Sequence, residues 1–302
     1  MGKTSIEWTD ASWNPIVGCT EISPGCANCY AARLAATRLR ETPQYRGLAE
    51  IEKHIENTDY GRPRWTGELR FHCERLEEPL HWRAPRKIFV CDMGDLFHED
   101  VTRDEIQQVF DVTRNCPQHT FQILTKRAQR MRDEVREYHL FYELKNVWLG
   151  VSVENQHFAD ERIPLLLQTP AAVRWISAEP LLGPVEIWKS LPIVTGLQID
   201  VDWVVCGGES GPNARPMHPG WARALRDQCV AAGVPFFFKQ WGEWAPQGNA
   251  GSGLSLPGVE RERTFVGHNL GAGQMMLRYG KRLAGRLLDG REWNEFPGVL
   301  CK

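Results

Sequence analysis

Three cysteines fall close together near the start of the chain, Cys19, Cys26 and Cys29, spaced C-x6-C-x2-C within Gly18–Tyr30. Pro24 and Gly25 interrupt regular structure between the first two, so the stretch reads as a loop. Ahead of it, Ser12–Val17 is a short strand that Pro15 ends or places at an edge. Behind it, Ala31–Ala36 carries the alanines and leucine of a helix. Strand, cysteine loop, helix is therefore the expected order. Thiolates two or three residues apart can share one ion or cluster, because the loop backbone aims the sulfurs inward. Three ligands leave one position open. Zinc would need a fourth donor, such as His72, His98 or another cysteine; a cubane four-iron cluster would keep one iron free for a ligand. Three unconnected thiols are the plain alternative.

The remaining cysteines do not cluster. The chain has nine, an odd number, and no secretory apolar segment at its start, which points to a reducing, cytoplasmic setting without a disulfide framework. Those outside the loop sit in apolar surroundings, as in Val90-Cys91 and Val205-Cys206, and read as small buried hydrophobes. No apolar run reaches the roughly 18 residues of a membrane span, so no membrane partner is expected. The net charge of −2 gives no overall basic field for nucleic acid. Twelve tryptophans, among them Trp13, Trp65, Trp82, Trp241 and Trp244, are expected mainly to pack where loops meet the core, with stacking on a flat ligand as the alternative.

Beyond a polar, irregular segment at 34–66, expected as a surface insertion, short apolar runs recur. They are Leu69–Cys73, Lys87–Cys91, Thr120–Leu124, Val147–Val151, Ala172–Ile176, Asp202–Cys206 and Val234–Phe238. From Lys87 onward their separation is about that of a βα unit. Helical patterns intervene at Arg103–Val112 and at Trp221–Val230, the latter opened by Pro219-Gly220. Buried runs alternating with helices indicate an α/β fold with a parallel sheet. With the first strand the count is eight, so a (β/α) barrel, complete or partial, is expected over residues 1–245, with an open doubly wound sheet as the other possibility. Residues 246–302 read as a small C-terminal appendage packed on the barrel. It opens with the Gly- and Ser-rich stretch Gln247–Gly253 and contains Asp289-Gly290, a hairpin turn signal.

In a parallel barrel the residues just after each strand converge on one face. Here those positions are polar or ionisable almost throughout: the cysteine loop, Cys91–His98, Thr125-Lys126-Arg127, Ser152–Asn155, Ser177-Ala178-Glu179-Pro180, Gly207–Gly211 and Lys239-Gln240-Trp241. A helix cap can account for one such residue, such as Asp92 or Ser152, but not for the ring.

The wider pattern resembles a family of phage and bacterial proteins described as three-cysteine-motif, radical S-adenosylmethionine-like, distantly similar to spore photoproduct lyase. The stretches that carry it are Trp13-Asn14-Pro15, Gly18-Cys19, Ser23-Pro24-Gly25-Cys26, Cys29-Tyr30-Ala31, Asp92–Phe97, Ser177–Gly183, Gly207–Gly211, Lys239–Gly242 and the Lys281–Trp293 tail. The first cysteine gap is six residues where that superfamily usually has three. Its Gly-Gly-Glu stretch usually follows the second strand, whereas Gly207-Gly208-Glu209 follows about the seventh run, and no role is carried across.

The resemblance implies a radical-SAM-like barrel in which Cys19, Cys26 and Cys29 ligate a 4Fe-4S cluster. S-adenosyl-L-methionine would take the fourth iron and, on reduction, yield a 5′-deoxyadenosyl radical. Lys126, Glu179, Glu209 and His98 are then the catalytic candidates, His98 as a proton donor against the reading of a surface histidine. Asp92, Asp95, Ser177, Ser210 and Arg215 are candidates for cofactor contacts. The implied partners are a DNA or nucleotide substrate, in repair or modification, and an electron donor for the cluster. Basic runs at Arg83–Lys87, Lys126–Arg136 and Lys281–Arg291 give some support to nucleic acid, although acidic residues alternate with most of them. Two other readings stay open. One is a zinc or iron–sulfur staple on a protein that binds a partner protein; the other is a metal-independent barrel hydrolase using the strand-end carboxylates.

Overall fold

The structure, a computed structural model, describes residues 4, 6–52, 61–137, 145–190, 201–247, 267–271 and 274–298. Its centre is a seven-stranded parallel sheet: β1 (Ala11–Trp13), β2 (Lys87–Val90), β3 (Thr120–Thr125), β4 (Val147–Ser152), β5 (Val173–Ala178), β6 (Trp203–Gly207) and β7 (Phe236–Gln240). The strands lie side by side in chain order from β1 to β7. A doubly wound sheet reverses its strand order part-way. This one never reverses, so the fold is a partial (β/α) barrel.

Four helices each follow a strand and cover the outer face: α2 (Arg103–Asn115), α3 (Ala128–Glu137), α4 (Gln156–Leu167) and α5 (Pro219–Ala232). A shorter one, α1 (Tyr30–Ala36), follows the cysteine loop. Their ends obey local chemistry. Thr102 and Glu105 form a reciprocal capping box at α2, and the Asn155 side chain accepts from Phe158 N at α4. Gly233, at φ 68°, ends α5 in the left-handed conformation that glycine adopts without strain.

One expected strand went elsewhere. Arg70–Phe71 pairs antiparallel with Ile16–Val17 in a separate two-stranded ribbon. Pro15 breaks the first strand, so only Ala11–Trp13 enters the sheet while Ile16–Val17 turns away with the ribbon. That accounts for seven parallel strands rather than eight. Within the 34–66 segment, Tyr45, Leu48 and Trp65 are buried against the alanines of α1 and Met93.

Alternation along the strands separates two apolar layers. Ile88, Val90, Leu149, Ile176, Val204, Phe236 and Phe238 face the helices in the main core. Their neighbours Phe89, Trp148, Trp175, Trp203, Val205 and Phe237 turn to the concave side and pack with Trp8. Four of the twelve tryptophans thus fill the base of the half-barrel. Gly150 makes room for one of them: a first side-chain carbon there would lie 2.4 Å from the Trp175 ring.

The C-terminal segment closes the outer edge. Phe238 N donates to Trp293 O (2.9 Å), Asn294 bridges to Phe237, and Trp203 Nε1 donates to Glu295 O (2.8 Å). The free edge of β7 is therefore covered rather than left as a template for pairing. Phe296 stacks on Trp203 with ring centroids 5.2 Å apart and carries Lys87 Nζ 3.8 Å above its face. The Asp289-Gly290 turn forms as its dipeptide indicates, with both residues at positive φ, and Asp289 holds Arg223 and Arg226 of α5. Further strands at Trp244–Pro246, Gly267–Asn269 and Met275–Arg278 make a small antiparallel sheet. Most of the Gln247–Gly253 stretch lies outside the described residues. Among the described residues, no helix is long and apolar enough to cross a membrane.

Candidate functional site

A cavity of about 210 Å³ opens at the C-terminal ends of the strands. Its floor is the top of the aromatic layer, with Trp8, Phe89 and Leu124; its walls are the strand ends and the cysteine loop. Cys19, Cys26 and Cys29 all line it. So do Asp92, Asp95, Lys126, Ser177, Glu179, Glu209 and Ser210. Six strand ends and one loop, scattered through some 220 residues of sequence, thus meet around one space.

The loop is bound into this wall from several directions. Gly18 approaches Gly94 in a backbone bridge, and at φ 96° only glycine adopts its conformation without strain. Pro24–Cys26 forms one 3-10 turn, and Cys29 sits just before α1. All eight cysteines among the described residues are free thiols. Burial, with a smaller push from the Asp95 carboxylate, lifts the Cys19 thiol to about 12. Burial likewise raises Cys29. Against Cys19 lies Arg127, whose Nη1 is 3.7 Å from the sulfur and 3.0 Å from Asp95 Oδ2.

Ion pairs organise the rest. Glu154, fully buried, takes Lys126 Nζ on one oxygen and Arg162 Nη1 on the other at 3.1 Å. Burial alone would raise the Glu154 carboxyl, but the two cations outweigh it and hold its pKa below the usual value. Burial would lower Lys126, and the Glu154 charge overcomes that, so the ammonium is retained. Across the cavity Lys239 Nζ donates to both oxygens of Glu179 (2.8 and 2.9 Å). Asp95 accepts from Thr125 Oγ1 at 2.7 and 2.9 Å and from Phe97 N at 3.0 Å. Asn14 Nδ2 donates to Asp92 at 2.6 Å, and burial raises the Asp92 carboxyl.

Two named candidates stand outside the cavity. His98 is wholly buried, which corrects the expectation of a surface histidine. Its Nδ1 accepts from Asp100 N at 3.2 Å, leaving Nε2 to donate to Thr20 Oγ1 at 2.8 Å, and burial lowers its pKa. Arg215 is spent on Glu209, with Nε to Oε2 at 2.9 Å and Nη2 to Oε1 at 2.6 Å. Of the three basic runs, only Lys126-Arg127 reaches the cavity; Lys87 lies at the opposite end of its strand, over Phe296. Sequence reasoning did not nominate Lys239, Glu154, Ser23 or Asn28. The first two could have been found from their positions just after strands; the other two stood between the cysteines, Ser23 within a motif stretch, with nothing in the sequence to say what they touch.

The glycines of two motif stretches serve backbone contact. A side chain at Gly208 would come within 2.0 Å of Trp241 O, and one at Gly242 within 2.0 Å of Glu209 O. The Gly207–Gly211 and Lys239–Gly242 turns are pressed together, which fixes Glu209 at the rim.

The three thiols are the clustered sulfur donors at this cavity. Among the described residues, no three His, Cys, Asp or Glu side chains converge tightly enough to hold a single ion. Tetrahedral zinc, with bonds of about 2.3 Å, needs its sulfurs about 3.8 Å apart. A cubane cluster instead takes each thiolate on a separate iron. Neither histidine nominated as a fourth zinc ligand lines the cavity: His98 is held by Thr20 and His72 Nδ1 by Glu74 at 2.8 Å. Three thiols on one wall of the cavity, without either histidine, are thus the set that a metal ion or a cluster would meet here.

A search of curated proteins finds no match. Among solved structures the chain is similar to a spore photoproduct lyase mutant, with a TM-score of 0.41 and 9% identity, over 92% of this chain and 71% of that one. Residues 3–297 match the family described as "Protein of unknown function (DUF5131)", and the chain belongs to that family.

Proposed function

We propose that this chain is an iron–sulfur enzyme of the radical S-adenosylmethionine type, acting on a nucleic acid or a nucleotide. The observation that carries the reading is the joint placement of three free cysteines and the polar strand ends around one cavity with an aromatic floor. A cluster that served only as a staple would not need the second half of that arrangement. Cys19, Cys26 and Cys29 would hold the cluster. When bound, cluster and S-adenosylmethionine supply reductive cleavage of a sulfonium bond and hydrogen abstraction from a substrate carbon.

The chain's own groups have separable tasks. Lys126 and Arg127 place positive charge beside the thiols and offset part of the burial that raises them. Glu179 and Lys239, on the far wall, form a donor–acceptor pair able to orient a polar ligand. Asp92, kept less acidic by burial, can hold a proton at its carboxyl near the loop. Trp8 and Phe89 below, with half-exposed Tyr30 at the mouth, offer flat apolar surface to a base. The buried base of the barrel keeps water from entering beneath.

Anaerobic reconstitution with iron and sulfide tests the cluster. A broad visible absorption that disappears in Cys26→Ala supports it, and a colourless protein with stoichiometric zinc overturns it. Incubation with S-adenosylmethionine and dithionite, assayed for 5′-deoxyadenosine, then separates a radical enzyme from a protein that only carries a cluster.

A further inference from the structure

We propose that Ser23 and Asn28 are positioning residues, docked on buried or clamped carboxylates so that the cysteine loop is in ligand-ready form before any metal enters. The inference rests on the reading of this loop as a cluster site and concerns residues that a cluster would not itself bond.

Ser23 Oγ donates to Glu154 Oε1 and accepts from Lys126 Nζ at 3.2 Å. The hydroxyl is thus seated on a three-charge group whose members come from the ends of β3 and β4 and from α4. Gly25 sits against the same group: a first side-chain carbon would lie 2.5 Å from Glu154 Cγ and 2.8 Å from Lys126 Nζ. On the other flank, Asn28 Nδ2 donates to Glu209 Oε2 and to Asn213 O, each at 2.9 Å. Arg215, already paired with Glu209, also donates from Nη2 to Pro24 O at 2.9 Å. The residues that bracket Cys26 and precede Cys29 are therefore fixed from both sides by the barrel. Inside the loop, Cys26 N donates to Ser23 O (2.9 Å), Ala27 N to Pro24 O (3.3 Å) and Cys29 N to Cys26 O (3.1 Å).

The consequence is thermodynamic. A zinc finger orders its ligands when the metal binds, so metal and folding are one event. Here the ordering entropy of the loop is met by protein–protein hydrogen bonds during folding. The chain then accepts a cluster as a folded host, and the ordering cost at loading is small.

Amide hydrogen exchange on the metal-free full chain, read in peptides spanning 18–31, tests this. The amides of Cys26, Ala27 and Cys29 should exchange at least about 100-fold more slowly than in the denatured chain. A Ser23→Ala/Asn28→Ala variant leaves the Lys126–Glu154–Arg162 and Glu209–Arg215 pairs intact, so the barrel should fold. Its loop should exchange about tenfold faster, while β3 to β5 and the unfolding midpoint stay as in the parent. Ser23→Thr, which keeps the hydroxyl, should restore the parental rate at Cys26. After reconstitution the double variant should show a broadened electron paramagnetic resonance signal from its reduced cluster. A parental loop that exchanges at the denatured rate without metal, or a double variant that exchanges like the parent, overturns the inference. A protected loop that takes up no iron and sulfide overturns the cluster reading while leaving this one standing.

Discussion

The concave face of this sheet has two halves that share strands and are built on opposite principles. At the base, Phe89, Trp148, Trp175, Trp203 and Phe237 pack with Trp8 into a buried aromatic layer. One turn of the pleat higher, the same strands end in Ser152, Ser177, Glu179 and Lys239, around an open cavity. The lower half spends its residues on burial, which is non-directional and worth most when water is excluded. The upper half spends them on charge pairs, which are costly to bury and stabilise little beyond replacing lost hydration. A half-barrel can therefore keep a polar working face only because its base has its own core.

That division can be broken from either side. Cys26→Ala should have the largest effect on the upper half, complete loss of the cluster absorption after reconstitution, while the urea unfolding midpoint stays close to the parent. Trp203→Ala should do the reverse, costing about 3–5 kcal/mol in urea unfolding through the cavity it leaves, with cluster loading preserved at low temperature. Glu154→Ala should cost about 3–5 kcal/mol as well, because it removes the buried carboxylate that pairs both Lys126 and Arg162. It is the one upper-half position expected to match a tryptophan of the base, and a loss below about 1 kcal/mol would show that water already reaches the pair. Gly150→Ala should cost about 1–3 kcal/mol by forcing Trp175 off its seat.

The smallest effect concerns pH. His98 is buried and its pKa is lowered, so the unfolded chain binds the proton more readily. Its contribution is complete above the unfolded value near 6.5 and is lost as pH falls through the lower folded value. His98→Gln should flatten the fall in unfolding free energy over that acid window, and an unchanged slope would place the titration elsewhere.

The alternation of strand and helix was legible in the sequence because buried parallel strands announce themselves as apolar runs spaced by helices, and the strand ends followed from them. Leu69–Cys73 was misplaced because a short apolar run says nothing about its partner, and Pro15 directed it to a ribbon instead. The roles of the tryptophans were hidden for a related reason. In a run buried on both faces, composition does not tell which residues face inward. Glu154 stood at a strand end, but its importance depends on Ser23 and Arg162, which arrive from other elements. His98 had charged neighbours in sequence that mask full burial in space. Charge in the sequence shows what a residue could do, and only the packing shows whether it reaches the cavity.

The meeting of Trp8 and Phe296 around Trp203 also bears on how the chain acquires its shape. These rings are separated by almost the whole polypeptide, so their contact has the longest loop to close and the greatest entropic delay. The strands and their helices can zip together through neighbours, each unit templating the next. The aromatic base cannot be finished until the far end returns to the beginning. It acts as the last stitch, and a chain cut before Trp293 would leave the half-barrel assembled but unsealed.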